Sequence, residues 1–137
     1  MDFKFLHPRG FAFIIALAIK QKRHGIALEM ITFEKLRRLP IIQFLRAKAL
    51  LGQKYFNQAL KLLTFLSNQN IQIPHDLLDD FEKALVDDKD YYDKFLTLKK
   101  NLEDKELILS DKTIDDFLFE EISLEKKTEN LIKNILK

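Results

Sequence analysis

The sequence predicts an all-α protein built from stacked antiparallel helix pairs, an α-α superhelix closed by C-terminal capping helices. Three observations carry that expectation. The 137 residues include only three Gly and three Pro, too few breakers for a many-turned sheet but enough for helices joined by short loops. Two stretches, KQKRHGIALEMITF at 20–33 and GQKYFNQALKLLTF at 52–65, agree at Gln21/Gln53, Lys22/Lys54, Ala27/Ala59, Leu28/Leu60, Thr32/Thr64 and Phe33/Phe65. Their 32-residue offset is the period of a repeated helix pair, each of which leaves one apolar face for the next pair to cover.

In the first unit, Phe11 to Lys20 reads as helix A. His24 to about Arg38 reads as helix B, with Ile26, Ala27, Met30, Ile31 and Phe33/Glu34 on its buried edge. Pro40 ends that unit, because the residue before a proline avoids the helical region. It also suits the first turn of the next helix, where no N–H is needed. Ile41 to Leu51 is then helix A of the second unit, and Phe56 to about Ser67 its helix B. Gln21-Lys22 and Gln53-Lys54 fall in the turns, while Ala27 and Ala59 are small where two helices must approach closely.

SNQNIQIP at 67–74 reads as a polar connection ending in a helix-start proline. The next helix carries Leu77, Leu78, Phe81, Ala84 and Leu85 on one face. Asp88 or Asp90 is placed to cap its successor, whose stripe runs Tyr91, Phe95, Leu98 and Leu102. This third pair lacks the alanine and the Gln-Lys turn, so it reads as a degenerate unit or cap. Thr113-Ile-Asp-Asp116 resembles a capping box ahead of Phe117, Leu118 and Ile122. Ser123 is placed to cap a last helix striped by Leu124, Leu131, Ile132, Ile135 and Leu136. The whole is one domain: residues 1–75 hold two basic repeats, at about 9–39 and 40–73, and residues 76–137 hold the degenerate repeat and caps.

The net charge of +2 conceals a division. Residues 1–75 have 12 Lys/Arg against 3 Asp/Glu, and residues 76–137 have 11 against 18. A basic half attracts a polyanion, because neutralised phosphates release counterions. It equally attracts the acidic half or a partner protein. FAFIIALAI at 11–19 is far shorter than the ~20 residues needed to cross a bilayer, which predicts a buried helix and no membrane insertion. Cysteine is absent, excluding disulfides and thiolate metal sites. His7, His24 and His75 share no ligand spacing, and Asp87-Asp88-Lys89-Asp90 lacks the glycine and terminal glutamate of a calcium loop. Asp79/Asp80 and Asp115/Asp116 read as solvated helix faces. With no phosphate loop or nucleophile elbow either, the sequence predicts no enzymatic activity, no cofactor and no small-molecule substrate.

The units, with Ala27 and Ala59 early in helix B, look like tetratricopeptide or pentatricopeptide repeats. The ordered run FAFIIALAI, IALEMITF, IPHDLLDDFEKALV, YYDKFLTLKKNL and SDKTIDDFL, over about residues 9–122, resembles the C-terminal half of an animal mitochondrial pentatricopeptide repeat family. That resemblance implies a mitochondrial-matrix protein in the maturation or stability of mitochondrial transcripts, particularly the cytochrome b message. The family's transit peptide and N-terminal repeats have no counterpart here, which implies a short form or a fragment. Carried onto this sequence through Ala27 and Ala59, the family's base-reading position falls on Ala12, which has no hydrogen-bonding group, and on Phe44, which offers a ring for stacking. The expected single-stranded RNA contacts are Phe44 with Arg46, Lys48, Lys54, Lys20, Lys22 and Arg23, with Lys61 flanking the same turns. The alternative is a tetratricopeptide-type scaffold whose groove holds a partner protein and no nucleic acid. Lys35, Arg37 and Arg38 are explained by the helix dipole alone.

Overall fold

A computed structural model describes residues 8–31, 39–120 and 135. The described chain is mostly helical, as expected: α1 (Pro8–Lys20), α2 (His24–Met30), α3 (Pro40–Gly52), α4 (Phe56–Asn68), α5 (His75–Leu85), α6 (Lys89–Asp104) and a helix over 114–120, here α7. Two two-residue strands, β1 (Ile73–Pro74) and β2 (Ile108–Leu109), pair in parallel. Neither strand was expected from the sequence. Ile73 N–H donates to Leu107 O at 2.7 Å, which ties the connection before α5 to the one after α6. The expected continuation of helix B to Arg38, the basic trio Lys35, Arg37 and Arg38, and the Ser123-capped last helix lie outside the described residues.

The first two hairpins share local geometry at the 32-residue offset. Helices α1 and α3 are both 13 residues long and both begin on proline, Pro8 and Pro40. Each ends in the same paired-bond motif. Lys22 N–H donates to Ile19 O at 2.9 Å and Arg23 N–H to Ala18 O at 2.8 Å; Lys54 N–H donates to Leu51 O at 3.0 Å and Tyr55 N–H to Leu50 O at 2.9 Å. This arrangement requires a left-handed residue, and Lys22 and Lys54 occupy that region at φ 61° and 63°. The next helix starts one residue later with matching dihedrals, at Arg23 (φ −96°, ψ 58°) and Tyr55 (φ −85°, ψ 62°). Four residues on, Ala27 and Ala59 are wholly buried, in equivalent positions.

Helix α1 packs on α2 and α3, and α2 also leans on α3. The contact is close at one end: a Cβ on Gly52 would meet the His24 imidazole, so a larger residue there would have to push that ring aside. The third pair docks differently, with α5 against α3 and α6 against α4. One continuous apolar core results, with Phe44, Phe81 and Phe95 its largest fully buried side chains. Phe81 and Phe95 stack at 5.7 Å. Leu77, Leu78, Phe81 and Leu85 are buried as the spacing requires, whereas Ala84 is half-buried. Ile26 corrects the expected buried edge of α2. It is exposed, because only Ala27 and Ile31 face inward while Met30 stays half-buried.

Local caps follow the sequence. Asp88, not Asp90, caps α6 by accepting from Tyr91 N–H at 3.3 Å. The capping box forms reciprocally: Asp116 N–H donates to Thr113 Oγ1 at 3.2 Å, and Thr113 N–H donates to Asp116 Oδ2 at 2.9 Å. The Thr113 N–H bond to its carboxylate, and then a hydrogen bond from the Thr113 side chain, hold the Asp116 carboxyl below its ordinary pKa.

Candidate nucleic-acid interface

Helix geometry divides the expected contact residues between two faces of α3. Phe44 and Lys48 are one turn apart and point the same way, while Arg46, two residues from each, points roughly opposite. The structure thus separates Arg46 from the pair it was grouped with.

The Phe44 face is closed by the chain itself. Phe44 is fully buried, with the Phe117 ring of α7 set edge-on at 5.3 Å. Ile114 and Leu118 of the same short helix are buried with it. At the margins of α7, Lys20 Nζ lies 3.9 Å from Asp115 Oδ1, and Ile114 N–H donates to both Asp76 carboxylate oxygens at 3.2 Å. One face of α7 therefore touches α1, α3 and α5. Phe44 as a base-stacking residue is corrected: burial in the core is its role, and Ala12 is buried too.

Lys48 is engaged on the same side, with Nζ 3.5 Å from Asp80 Oδ2. Burial raises the Asp80 pKa, outweighing the attraction of Lys48 that would lower it, so this half-exposed pair adds little stability. Both ion pairs join the basic half to the acidic half. Attraction between the halves thus accounts for Lys20 and Lys48. Lys22, Arg23 and Lys54 are exposed at the two equivalent turns.

The other face of α3 presents a different surface. Gln43 and Arg46 of α3 and Gln58, Lys61, Leu62 and Phe65 of α4 line one open cleft of about 430 Å³. On α4 the four lie at i, i+3, i+4 and i+7, a single helical stripe. The opposite stripe, Ala59, Leu60, Leu63 and Leu66, is buried in the core. Phe65 is half exposed despite its size. The cleft offers an aromatic face, two cations and two side-chain amides. The lining residues fall in an acid-free run of the sequence: neither Asp nor Glu occurs between Glu34 and Asp76.

Of the expected set, only Arg46 lines this cleft, joined by Lys61. Gln43 and Gln58 went unnoticed in the sequence, where Phe65 stood only as the repeat counterpart of Phe33. The acid-free run was the signal that could have found them, together with a phenylalanine placed at the exposed edge of the α4 stripe. Among the described residues no three His, Asp or Glu side chains converge on a metal position. No described helix is long and apolar enough to cross a membrane. Comparison with family models, curated proteins and solved structures returns no match, so the pentatricopeptide resemblance rests on the residues alone.

Proposed function

We propose that this chain is a non-enzymatic helical-repeat module that binds single-stranded RNA across the α3–α4 cleft. The observation that carries the reading is the cleft's composition: half-exposed Phe65 beside Arg46 and Lys61, flanked by Gln43 and Gln58, in a stretch without carboxylates. Single-stranded nucleic acid is held by a cationic track for the backbone and aromatic faces for the bases. Side-chain amides add donors and acceptors for base edges. The exposed lysine Lys54 extends the cationic track beyond the cleft. The resemblance to mitochondrial pentatricopeptide proteins directs the reading to the maturation or stability of mitochondrial transcripts, the cytochrome b message among them, in the matrix.

The scaffold alternative draws support from α7. A short amphipathic helix already occupies the face of α1, α3 and α5 on which a tetratricopeptide-type groove would hold a partner. That face is filled, whereas the cleft is open, and this difference favours RNA.

Fluorescence anisotropy with a labelled single-stranded RNA, repeated at several salt concentrations, tests the reading. Affinity should fall linearly in log–log salt, with a slope near −0.7 per phosphate neutralised. Lys54→Glu and Lys61→Glu should each flatten that slope, and Phe65→Ala should weaken binding by about 1–3 kcal/mol at every salt concentration. Absence of binding, or binding indifferent to all three substitutions, hands the function to the protein scaffold.

A further inference from the structure

The α3–α4 cleft has a counterpart in the chain's own first hairpin. At the 32-residue offset, Arg46, Gln58 and Lys61 of the cleft are matched by Ile14, Ile26 and Glu29, while Leu62 is matched by Met30. The first hairpin thus keeps an apolar residue at the Leu62 position and has no cation or amide at the other three. Ile26 is 49% exposed where Gln58 stands in the second hairpin. The groups proposed to hold nucleotides in the cleft are not repeated.

The turns did not diverge in this way. Lys22 and Lys54 share the same left-handed backbone, and both are exposed, as is Arg23. The turns also touch each other. A Cβ on Gly52 would meet the His24 imidazole, and one on Gly25 would lie 3.0 Å from Gln53 Nε2. His24 follows Arg23 in the chain and Gln53 precedes Lys54, so Lys22, Arg23 and Lys54 stand along one edge of the two-hairpin stack. Lys20, at the end of α1, lies beside Asp115 and is already engaged. Lys54 comes four residues before Gln58, at the cleft's own end of that edge. A cationic track therefore leaves the cleft across the abutting turns.

We infer that a bound RNA seats its bases in the cleft of the second hairpin alone and runs its backbone over Lys54 onto Lys22 and Arg23. The first hairpin then holds phosphate and ignores base identity. This inference rests on the cleft's being an RNA site. Gln58 to Phe65 spans about 10 Å of helix, room for about three bases stacked ~3.4 Å apart. Phosphate contacts beyond those bases position the strand without reading it. Each one still adds affinity and salt dependence, because it releases counterions.

Anisotropy titrations of the full chain with three labelled RNAs test this path: a uridine tetranucleotide, and the same tetranucleotide extended at its 5′ or at its 3′ end by eight abasic residues. One of the two extended RNAs should bind about tenfold more tightly than the tetranucleotide, with a salt slope steeper by about 1.4, two phosphates' worth. Lys22→Glu/Arg23→Glu should abolish that gain and return the slope to the tetranucleotide's. Both side chains are exposed, so circular dichroism should show the variant folded, and Lys22→Gln/Arg23→Gln should reduce the gain in the same direction. With uridines in place of the abasic extension, NMR should show the Ile26 methyl resonances unmoved while those of Leu62 shift. No gain from either extension, a gain that survives the charge reversal, or an Ile26 shift as large as that of Leu62 overturns the inference and leaves the cleft reading standing. A parent chain that fails to bind the tetranucleotide, or binds it regardless of Phe65→Ala, overturns the cleft reading and this inference with it.

Discussion

The Phe44 and Phe117 rings meet edge to face, 5.3 Å between centroids and 68° between planes. Seventy-three positions separate them in the sequence, and their contact decides which side of the repeat is open. Helix α7 lies where a groove lined by α1, α3 and α5 would otherwise be, so the open cleft is on the far side of α3, where the proposal puts RNA.

Double-mutant cycles should register that contact. Phe44→Ala should cost about 3–5 kcal/mol as a fully buried ring, and the half-buried Phe117→Ala about 2 kcal/mol. The two should couple by ~1 kcal/mol, the increment of an edge-to-face pair beyond area burial. Urea denaturation of the two single variants and the double variant measures all three values. Purely additive effects would mean that α7 is not seated on α3.

Ala27 and Ala59 should respond alike. A leucine at either position has to be accommodated in a fully packed crossing, so each Ala→Leu change should destabilise by about 1–3 kcal/mol. The two values should agree within about 1 kcal/mol, whereas Ile26→Leu on the exposed edge of α2 should change stability by less than about 0.5 kcal/mol. Thermal or urea unfolding distinguishes the cases. A clear disparity between the two alanines would break the equivalence of the hairpins.

Lys22 and Lys54 adopt left-handed backbone that glycine occupies without steric cost. Lys22→Gly and Lys54→Gly should therefore each raise stability by about 1 kcal/mol, although both remove an exposed charge. Unfolding midpoints in urea provide the check. Lys22→Ala and Lys54→Ala should give no such gain, because alanine retains the Cβ.

Two carboxyls should impose opposite acid-limb slopes on stability. For Asp80 the folded pKa is raised by burial, so its contribution is fully present below the unfolded pKa and is lost as pH rises through the folded one. For Asp116 the folded pKa is depressed by the Thr113 bonds, so its contribution is present above the unfolded pKa and is lost as pH falls through the folded one. Asp80→Asn should accordingly be neutral or stabilising at neutral pH, and Asp116→Asn destabilising. Unfolding midpoints from about pH 3 to about pH 7, with carboxyl-carbon NMR titration, test both signs.

The helical period was readable because it is written in local terms. Pro40, the Gln-Lys turns, Ala27/Ala59, Asp88 and the Thr113 box each act within a few residues of themselves. The contacts that define the candidate site are not local. That Phe44 would be covered depends on Phe117, and that Lys48 and Lys20 would be partnered depends on Asp80 and Asp115, all supplied by the acidic half. The expected contact set held Phe44, Arg46 and Lys48 together, while the helix sends Arg46 to the other side. The β1–β2 pairing escaped for a similar reason: two-residue strands have no alternation to read.

The central claim is that the α3–α4 cleft, and not the α7-covered face, receives RNA. An NMR titration of the full chain, assigned in its methyl and aromatic groups, against a short single-stranded oligouridine tests it most directly. Leu62 methyl and Phe65 ring resonances should shift together while Phe44 and Phe117 stay in place. Shifts centred on Phe44 and Phe117, with Leu62 and Phe65 unmoved, would contradict it.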